Sequence, residues 1–319
     1  MNLSIIVPCY NEEKNIELFF RECLKSFKDI ENVEYIFIND GSKDNTWKEI
    51  TKLINNYKEL KIVGIDFSRN FGKESGIYAG LNNSTGNYVA IIDADLQQHP
   101  KYVKKMLDYI LKNPEFDSVV CYQNKRKEGK VVTFLKKVFY KLINKVSYVE
   151  FYENASDFRL ISRKMVNSLL SCSEYYRFSK GLFSFVGYDT YFMPYEVQER
   201  KYGKSSWNIS KLFKYAIQGI IDFSISPLEI SNKLGLLTIF ISLISLIIVL
   251  IKKWIFNIII GPFSIIIFLI LLFNGLQMII LGIIGQYVGR NYFETKNRPR
   301  YIIRNKLVSG EISDEKINK

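Results

Sequence analysis

The stretch VAIIDADLQQHP, residues 89–100, ends an apolar run in two aspartates one residue apart. Residues i and i+2 of an extended chain project to the same side, so Asp93, Asp95 and Gln97 can converge on one hard cation. A Mg or Mn ion held there with open positions suits the bridging of diphosphate oxygens. The competing reading is a capped strand end whose acids face water. Three further motifs offer groups for a nucleotide or phosphate: VPCYNEE with Pro8, Tyr10, Asn11 and Glu12; NDGSKDNT with the Asp40-Gly41 turn; and DFSRNFGKE with Arg69 and Lys73. Taken singly, NDGS is an ordinary turn and Lys73 a solvated helix residue. The single His99 and the scattered Cys9, Cys23, Cys121 and Cys172 match neither zinc-ligand spacing nor a disulfide framework, which points to a reducing compartment.

The elements that must position these motifs alternate between two hydrophobic periods. Strands are expected over 3–7, 34–40, 60–67 and 88–93, with helices over 13–27, 45–57 and 73–82 between them. That order gives an α/β fold, doubly wound around a mostly parallel sheet. Ligands of such sheets bind beyond the carboxyl ends of the strands, and each of the four motifs lies at one. Their convergence on a single edge carries more weight than any motif alone.

The formal charge of +12 calls for an anionic partner: nucleic acid, a lipid surface or a phosphorylated substrate. No known nucleic-acid motif is present, and the DADLQ acids would repel phosphate without a metal, so nucleic acid is not expected. Residues 234–251 and 254–289 contain no charged side chain, and a helix needs ~20 apolar residues to cross a bilayer core. Two spans are therefore expected, at about 232–251 and 262–284, with Lys252, Lys253 and Trp254 in the turn between. Basic residues after the second span place both termini and the large amino-terminal domain in the cytoplasm. The amino terminus does not read as a signal peptide. Two basic amphipathic stretches, 129–147 and 207–228, suit an anionic leaflet; for the first, a plain domain helix with a solvated lysine face is the alternative.

In this order and followed by two apolar runs, VPCYNEE, NDGSKDNT, DFSRNFGKE, DADLQQHP, SDFRLISR, GKSSW and FSISPLEIS resemble the polyprenyl-phosphate glycosyltransferases. These are GT-A-fold enzymes of glycosyltransferase family 2, close to bactoprenol glucosyltransferases and related to dolichol-phosphate mannose synthases. The resemblance covers Leu3 to about Arg304. It implies a nucleotide-sugar transferase domain over 1–206, juxtamembrane interfacial helices over 207–231, two transmembrane helices within 232–286 and a basic cytoplasmic tail over 287–319. It also implies that Pro8, Tyr10, Asn11, Glu12 and Asp40 hold the base and ribose. Lys73 and Asp93 join them on the donor, and Asp93, Asp95 and Gln97 hold the metal and diphosphate. Asp157, Asp95 and Arg200 are implied in catalysis, with Arg126, Arg159 and Arg200 on acceptor or donor phosphates. Three positions depart from the family pattern: Asn39 replaces an acid before Asp40, Ser206 replaces a common lysine, and Lys125, Arg126 or Lys127 stands in for an arginine near Asn124.

The implied reaction is transfer of a hexose, glucose from UDP-glucose first, to undecaprenyl phosphate in the inner membrane, with inversion. UDP-GlcNAc, UDP-galactose and GDP-mannose are the alternative donors, and a membrane scaffold without catalysis is the alternative function. A flippase and a second glycosyltransferase are the partners expected downstream, and a homo-oligomer is left open. A polysaccharide synthase would carry a QxxRW-type motif and more spans. The carboxyl-terminal hairpin lacks catalytic motifs, so a chain shortened to end near Ser226 is expected to keep nucleotide-sugar binding and lose efficient turnover of membrane acceptor.

Overall fold

The computed structural model describes residues 2–123, 155–175, 177–196 and 262–310, with isolated residues within 140–152 and 233–254. Its elements run β1 (Asn2–Cys9), α1 (Ile16–Ser26), β2 (Asn32–Asn39), α2 (Thr46–Asn56), β3 (Lys61–Phe67), α3 (Lys73–Asn83), β4 (Tyr88–Ile91) and α4 (Lys101–Lys112). After these come β5 (Ser118–Gln123), β6 (Ala155–Ser162), α5 (Arg163–Ser171), α6 (Ser179–Phe185), β7 (Thr190–Tyr195), α7 (Pro262–Thr295) and β8 (Ile303–Val308). The strands form one sheet in the order β7-β5-β6-β4-β1-β2-β3-β8. β1 to β4 are mutually parallel, β5 pairs parallel with β7, and β6 and β8 run antiparallel to their neighbours. This is the expected GT-A α/β fold.

Burial on both faces explains why the central strands read as continuous apolar runs. Leu3, Ile5 and Val7 of β1 face one core with Tyr35 and Phe37, packed by Phe19, Phe20, Ile50, Val103 and Met106 from α1, α2 and α4. Ile6, Ile36 and Ile38 face the other, against Ile77, Met165, Val166 and Leu182 of α3, α5 and α6. The alternation along each strand is the two-residue period of the pleat. Helix α3 lies very close to β1: a Cβ added at Gly80 would stand 2.3 Å from Ile6 Cγ2. That close approach fixes the height at which α3 starts, and with it Lys73.

Two expectations about the carboxyl-terminal third change. Helix α7 spans 34 residues and ends at Thr295, beyond the expected end of the second span. The chain then returns as β8, so the stretch expected to be a basic cytoplasmic tail supplies the eighth strand. Without β8, β3 would be an open edge with unpaired amides and carbonyls, a costly arrangement that the returning strand removes. Among the described residues no helix is long and apolar enough to cross a membrane, so the two-span hairpin is not shown here. Most of the first expected span, most of 129–147, and all of 207–231 lie outside the described residues.

Candidate active site

The loops after β1 and β2 are stitched together before they meet any ligand. Asn11, at φ 57°, donates its backbone N–H to Ser42 Oγ (2.9 Å) and accepts from Lys43 N at its Oδ1 (2.9 Å). Glu12 N donates to Thr46 Oγ1 (2.8 Å), and Glu13 N to Asp44 Oδ2 (3.2 Å). Asn tolerates the left-handed conformation better than most residues, which accounts for its place at this turn. Pro8 lies on β1 opposite Ile38, and Tyr10 is 43% exposed beside the stitched loops. A flat aromatic and a rigid pair of loops offer a platform for a base.

Asp40, only 4% exposed, holds the next loop. Its Oδ1 accepts from Phe71 N (2.6 Å) and its Oδ2 from Gly72 N (2.9 Å). Burial pushes this carboxyl up to about 6, against the two amides and Arg69, which pull it down. Each oxygen keeps lone-pair capacity for a nucleotide donor. Asn39, in place of the family's acid, donates to Asp66 Oδ1 (2.7 Å) and accepts from Ser42 N (3.3 Å). A second carboxylate at 39 would face Asp66 directly, so asparagine fits this chain's surroundings.

Lys73 starts α3 and reaches across the sheet edge, 2.6 Å from Asp93 Oδ1 and 3.4 Å from Asp157 Oδ2. Burial alone would lower the lysine, but the two carboxylates outweigh it and hold the ammonium charged. Burial likewise pushes Asp157 up, and Lys73, then Lys180 and Arg159, overcome it and keep it ionised. Asp157 Oδ1 is buried and has no hydrogen-bond partner among the described residues. Three residues far apart in sequence thus meet at one place, with an acceptor oxygen left over.

The geometry of the DADLQ segment differs from the expected extended chain. Strand β4 ends at Ile91, and Asp93 to Gln97 form a turn with Leu96 at φ 60°. Because the backbone reverses there, Gln98 and not Gln97 returns to Asp93: its Oε1 accepts from Asp93 N (3.0 Å) and its Nε2 donates to Asp93 Oδ2 (3.3 Å). Gln97 meets Asp95 through its backbone, N to Oδ1 at 3.1 Å. Asp95 is 6% exposed. Among the described residues no three His, Cys, Asp or Glu side chains cluster as metal ligands. The available hard-oxygen pair is Asp93 and Asp95, and Asp157 is joined to Asp93 through Lys73.

Arg159 is also on β6 but is 4% exposed, with its guanidinium 3.5 Å over the Phe183 ring and its Nη2 donating to Ser156 O (3.0 Å). Arg126 and Arg200 lie outside the described residues. One acid at the site went unread in the sequence: Glu74, whose Oε2 accepts from the Ser179 amide (3.2 Å) and hydroxyl. Burial, then Asp157, pushes its carboxyl up. Its only signal was its place next to Lys73.

Residues 4–170 match the family model described as glycosyl transferase family 2. A protein of Bacillus subtilis (strain 168) with the glycosyltransferase name CsbB is 41% identical over 95% of this chain and 91% of its own. The bactoprenol glucosyl transferase of Shigella phage SfX is 36% identical over 96% of this chain and 100% of its own. Among solved structures, glucosyl-3-phosphoglycerate synthase from Mycobacterium tuberculosis, with Mn2+, uridine diphosphate and phosphoglyceric acid, gives a TM-score of 0.48 at 19% identity, over 69% of this chain and 76% of that one. With the family model covering more than half the chain and relatives matching nearly all of it, this chain belongs to glycosyl transferase family 2 and is a glycosyltransferase.

Proposed function

We propose that the protein transfers glucose from UDP-glucose to a polyprenyl phosphate, undecaprenyl phosphate first, at the cytoplasmic face of the cell membrane. The observation that carries this reading is the meeting of Lys73 with Asp93 and Asp157 at the sheet edge, beside a buried carboxylate oxygen without a partner. The near full-length similarity to bactoprenol glucosyl transferases supports the choice of sugar and acceptor.

A phosphate monoester loses its second proton near ~6, so the lipid phosphate is already an anionic nucleophile and needs no strong base. Its oxygen forms the new bond to the anomeric carbon as the bond from that carbon to the nucleoside diphosphate breaks, and the electron pair leaves with the diphosphate. A single displacement turns an α-linked donor into a β-linked lipid product. The stitched loops carrying Pro8, Tyr10, Asn11 and Glu12, with Asp40, bind base and ribose. Lys73 counters charge on the diphosphate, and Asp157 orients the sugar or the incoming phosphate. Arg126 and Arg200 are assigned to phosphate, while Arg159, buried against Phe183, acts by keeping Asp157 ionised.

Two carboxylates that share an ion with phosphates and water are the usual protein contribution to a Mg or Mn site, and Asp93 and Asp95 offer that chemistry, with Gln97 beside them. The ion, when bound, neutralises negative charge building on the leaving diphosphate. For the membrane, the reading rests on residues 254–289 being free of charge and on α7 exposing Ile266, Ile270, Met278, Ile279, Leu281, Ile284 and Val288. Most of these positions share one broad apolar stripe of the helix, with Ile279 outside it, and such a stripe without charge seeks an apolar surround. Both termini are then cytoplasmic. A flippase and a second transferase would use the lipid-linked sugar on the far side.

The test is a screen of radiolabelled UDP-glucose, UDP-GlcNAc, UDP-galactose and GDP-mannose with membranes and undecaprenyl phosphate, followed by lipid extraction. Label from UDP-glucose alone is the expected result. Label from another donor would reassign the sugar, and none from any donor would remove the proposed reaction.

A further inference from the structure

Five residues, Ser68 to Gly72, join β3 to α3 and present the Phe71 and Gly72 amides to Asp40. On one side this loop lies on the Asp40-Gly41 turn. Asn70 Nδ2 donates to Asp40 O (3.2 Å), and Gly41, at φ 60°, is so close that an added Cβ would stand 2.3 Å from Arg69 C. No side chain fits between the turn and the loop.

The other side of the loop is held by the chain that returns from α7. Ser68 N donates to Ile302 O (2.9 Å), and Arg304 Nη2 donates to Ser68 O. Arg304 Nη1 is 3.8 Å from Asp66 Oδ2, which also accepts from Asn305 Nδ2 at 3.4 Å. The other oxygen of Asp66 takes Asn39, the residue that precedes Asp40. Tyr301 stacks on Phe67 at 5.0 Å between centroids and 16° between planes, where the β3–β8 register shifts. Ser75 Oγ in the first turn of α3 lies 3.2 Å from Arg300 O. The loop therefore has two walls, one from the nucleotide motifs and one from residues 300–305.

We propose that the segment after α7 is a working part of the donor site, with Arg304 as a positioning residue that fixes the Ser68 carbonyl and Asp66 together. Arg304 does not touch substrate. It sets the β3–α3 loop, and the loop sets Asp40 and the start of Lys73. The same segment continues directly from α7, so the helix assigned to the membrane and the nucleotide loops are one mechanical unit. Only the kinetic arm of the test rests on the donor reading given above.

The experiment uses full-length protein in detergent or nanodiscs. Amide hydrogen–deuterium exchange over 68–73 is compared for wild type, Arg304→Gln, Arg304→Lys and Asp66→Asn. Faster exchange in Arg304→Gln and Asp66→Asn is expected, with Arg304→Lys between them and wild type, since lysine reaches one partner but not both. Donor KM should rise about fivefold in Arg304→Gln while kcat and the lipid KM stay within about twofold. Unchanged exchange over 68–73 in both Arg304→Gln and Asp66→Asn would overturn the proposal whatever the donor proves to be. So would a fall in kcat at constant donor KM, because a loop that positions the nucleotide acts on binding. A wild type that does not bind UDP-glucose would instead count against the donor reading, and the exchange result would still decide the role of Arg304.

Discussion

Lys73 sits between Asp93, in the turn after β4, and Asp157 on β6, and its charge lets them share one site. Lys73→Gln would leave Asp93 and Asp157 facing each other without a cation, and would remove a charge from the diphosphate's place. We expect a fall in kcat/KM of about a hundredfold, of the size that loss of a preorganised electrostatic group causes. Kinetics with saturating metal check this, and a variant within about threefold of wild type would contradict it. Asp40 gives a pH prediction. Burial raises its folded-state value to about 6, above the ordinary ~3.9, so the folded protein binds this proton more tightly than the unfolded chain. The resulting stability is full below about pH 4 and is lost as pH rises through about 6, at most ~3 kcal/mol. Thermal midpoints of wild type relative to Asp40→Asn should therefore fall between about pH 4 and 6. A difference that does not change with pH would mean that the two backbone amides cancel the effect of burial. The Asp93 and Asp95 pair predicts that EDTA abolishes turnover and that Mg or Mn restores it. Full turnover in EDTA would remove the ion from the account.

At the scale of elements, what the sequence made readable was whatever depends on local period. β1 to β4 and α1 to α3 announced themselves through apolar spacing, and the rule that ligands gather at strand ends brought Asp40, Lys73 and Asp93 to one edge. Turn detail was not readable. The return of Gln98 to Asp93 hangs on a positive φ at Leu96, a residue type that rarely adopts it, so spacing alone gave no sign of that contact. β8 was missed because Ile303–Val308 is short, carries Arg304 and Lys306, and pairs with β3 from some 240 positions away. Long-range pairing of a polar strand leaves no local signal. The close approach of loops is testable here: Gly41→Ala should cost donor binding at least tenfold, because its Cβ and its φ of 60° both force the β3–α3 loop outward. Donor titration by calorimetry checks this, and normal affinity would contradict the packing.

The whole molecule reads differently once β8 is included. A chain shortened to end near Ser226 would lack β8, so the expectation that it keeps nucleotide-sugar binding is narrowed. It should bind nucleotide sugar weakly, with β3 exposed as an edge and the loop before Lys73 held on one side only. The charge of +12 agrees with the anionic partners proposed above: a nucleotide diphosphate, a lipid phosphate and a membrane face. Helix α7 ends where the chain turns back into the sheet, so on the proposed reading it joins the membrane to the nucleotide loops.

The most direct measurement is mass spectrometry of lipid extracts from purified protein in nanodiscs holding undecaprenyl phosphate, supplied with UDP-glucose and Mg or Mn, for wild type and Asp157→Asn. The account predicts a hexosyl phosphate lipid from wild type and at least a hundredfold less from Asp157→Asn, with donor binding retained. Equal product from the two proteins, or no lipid-linked hexose from wild type, would contradict it.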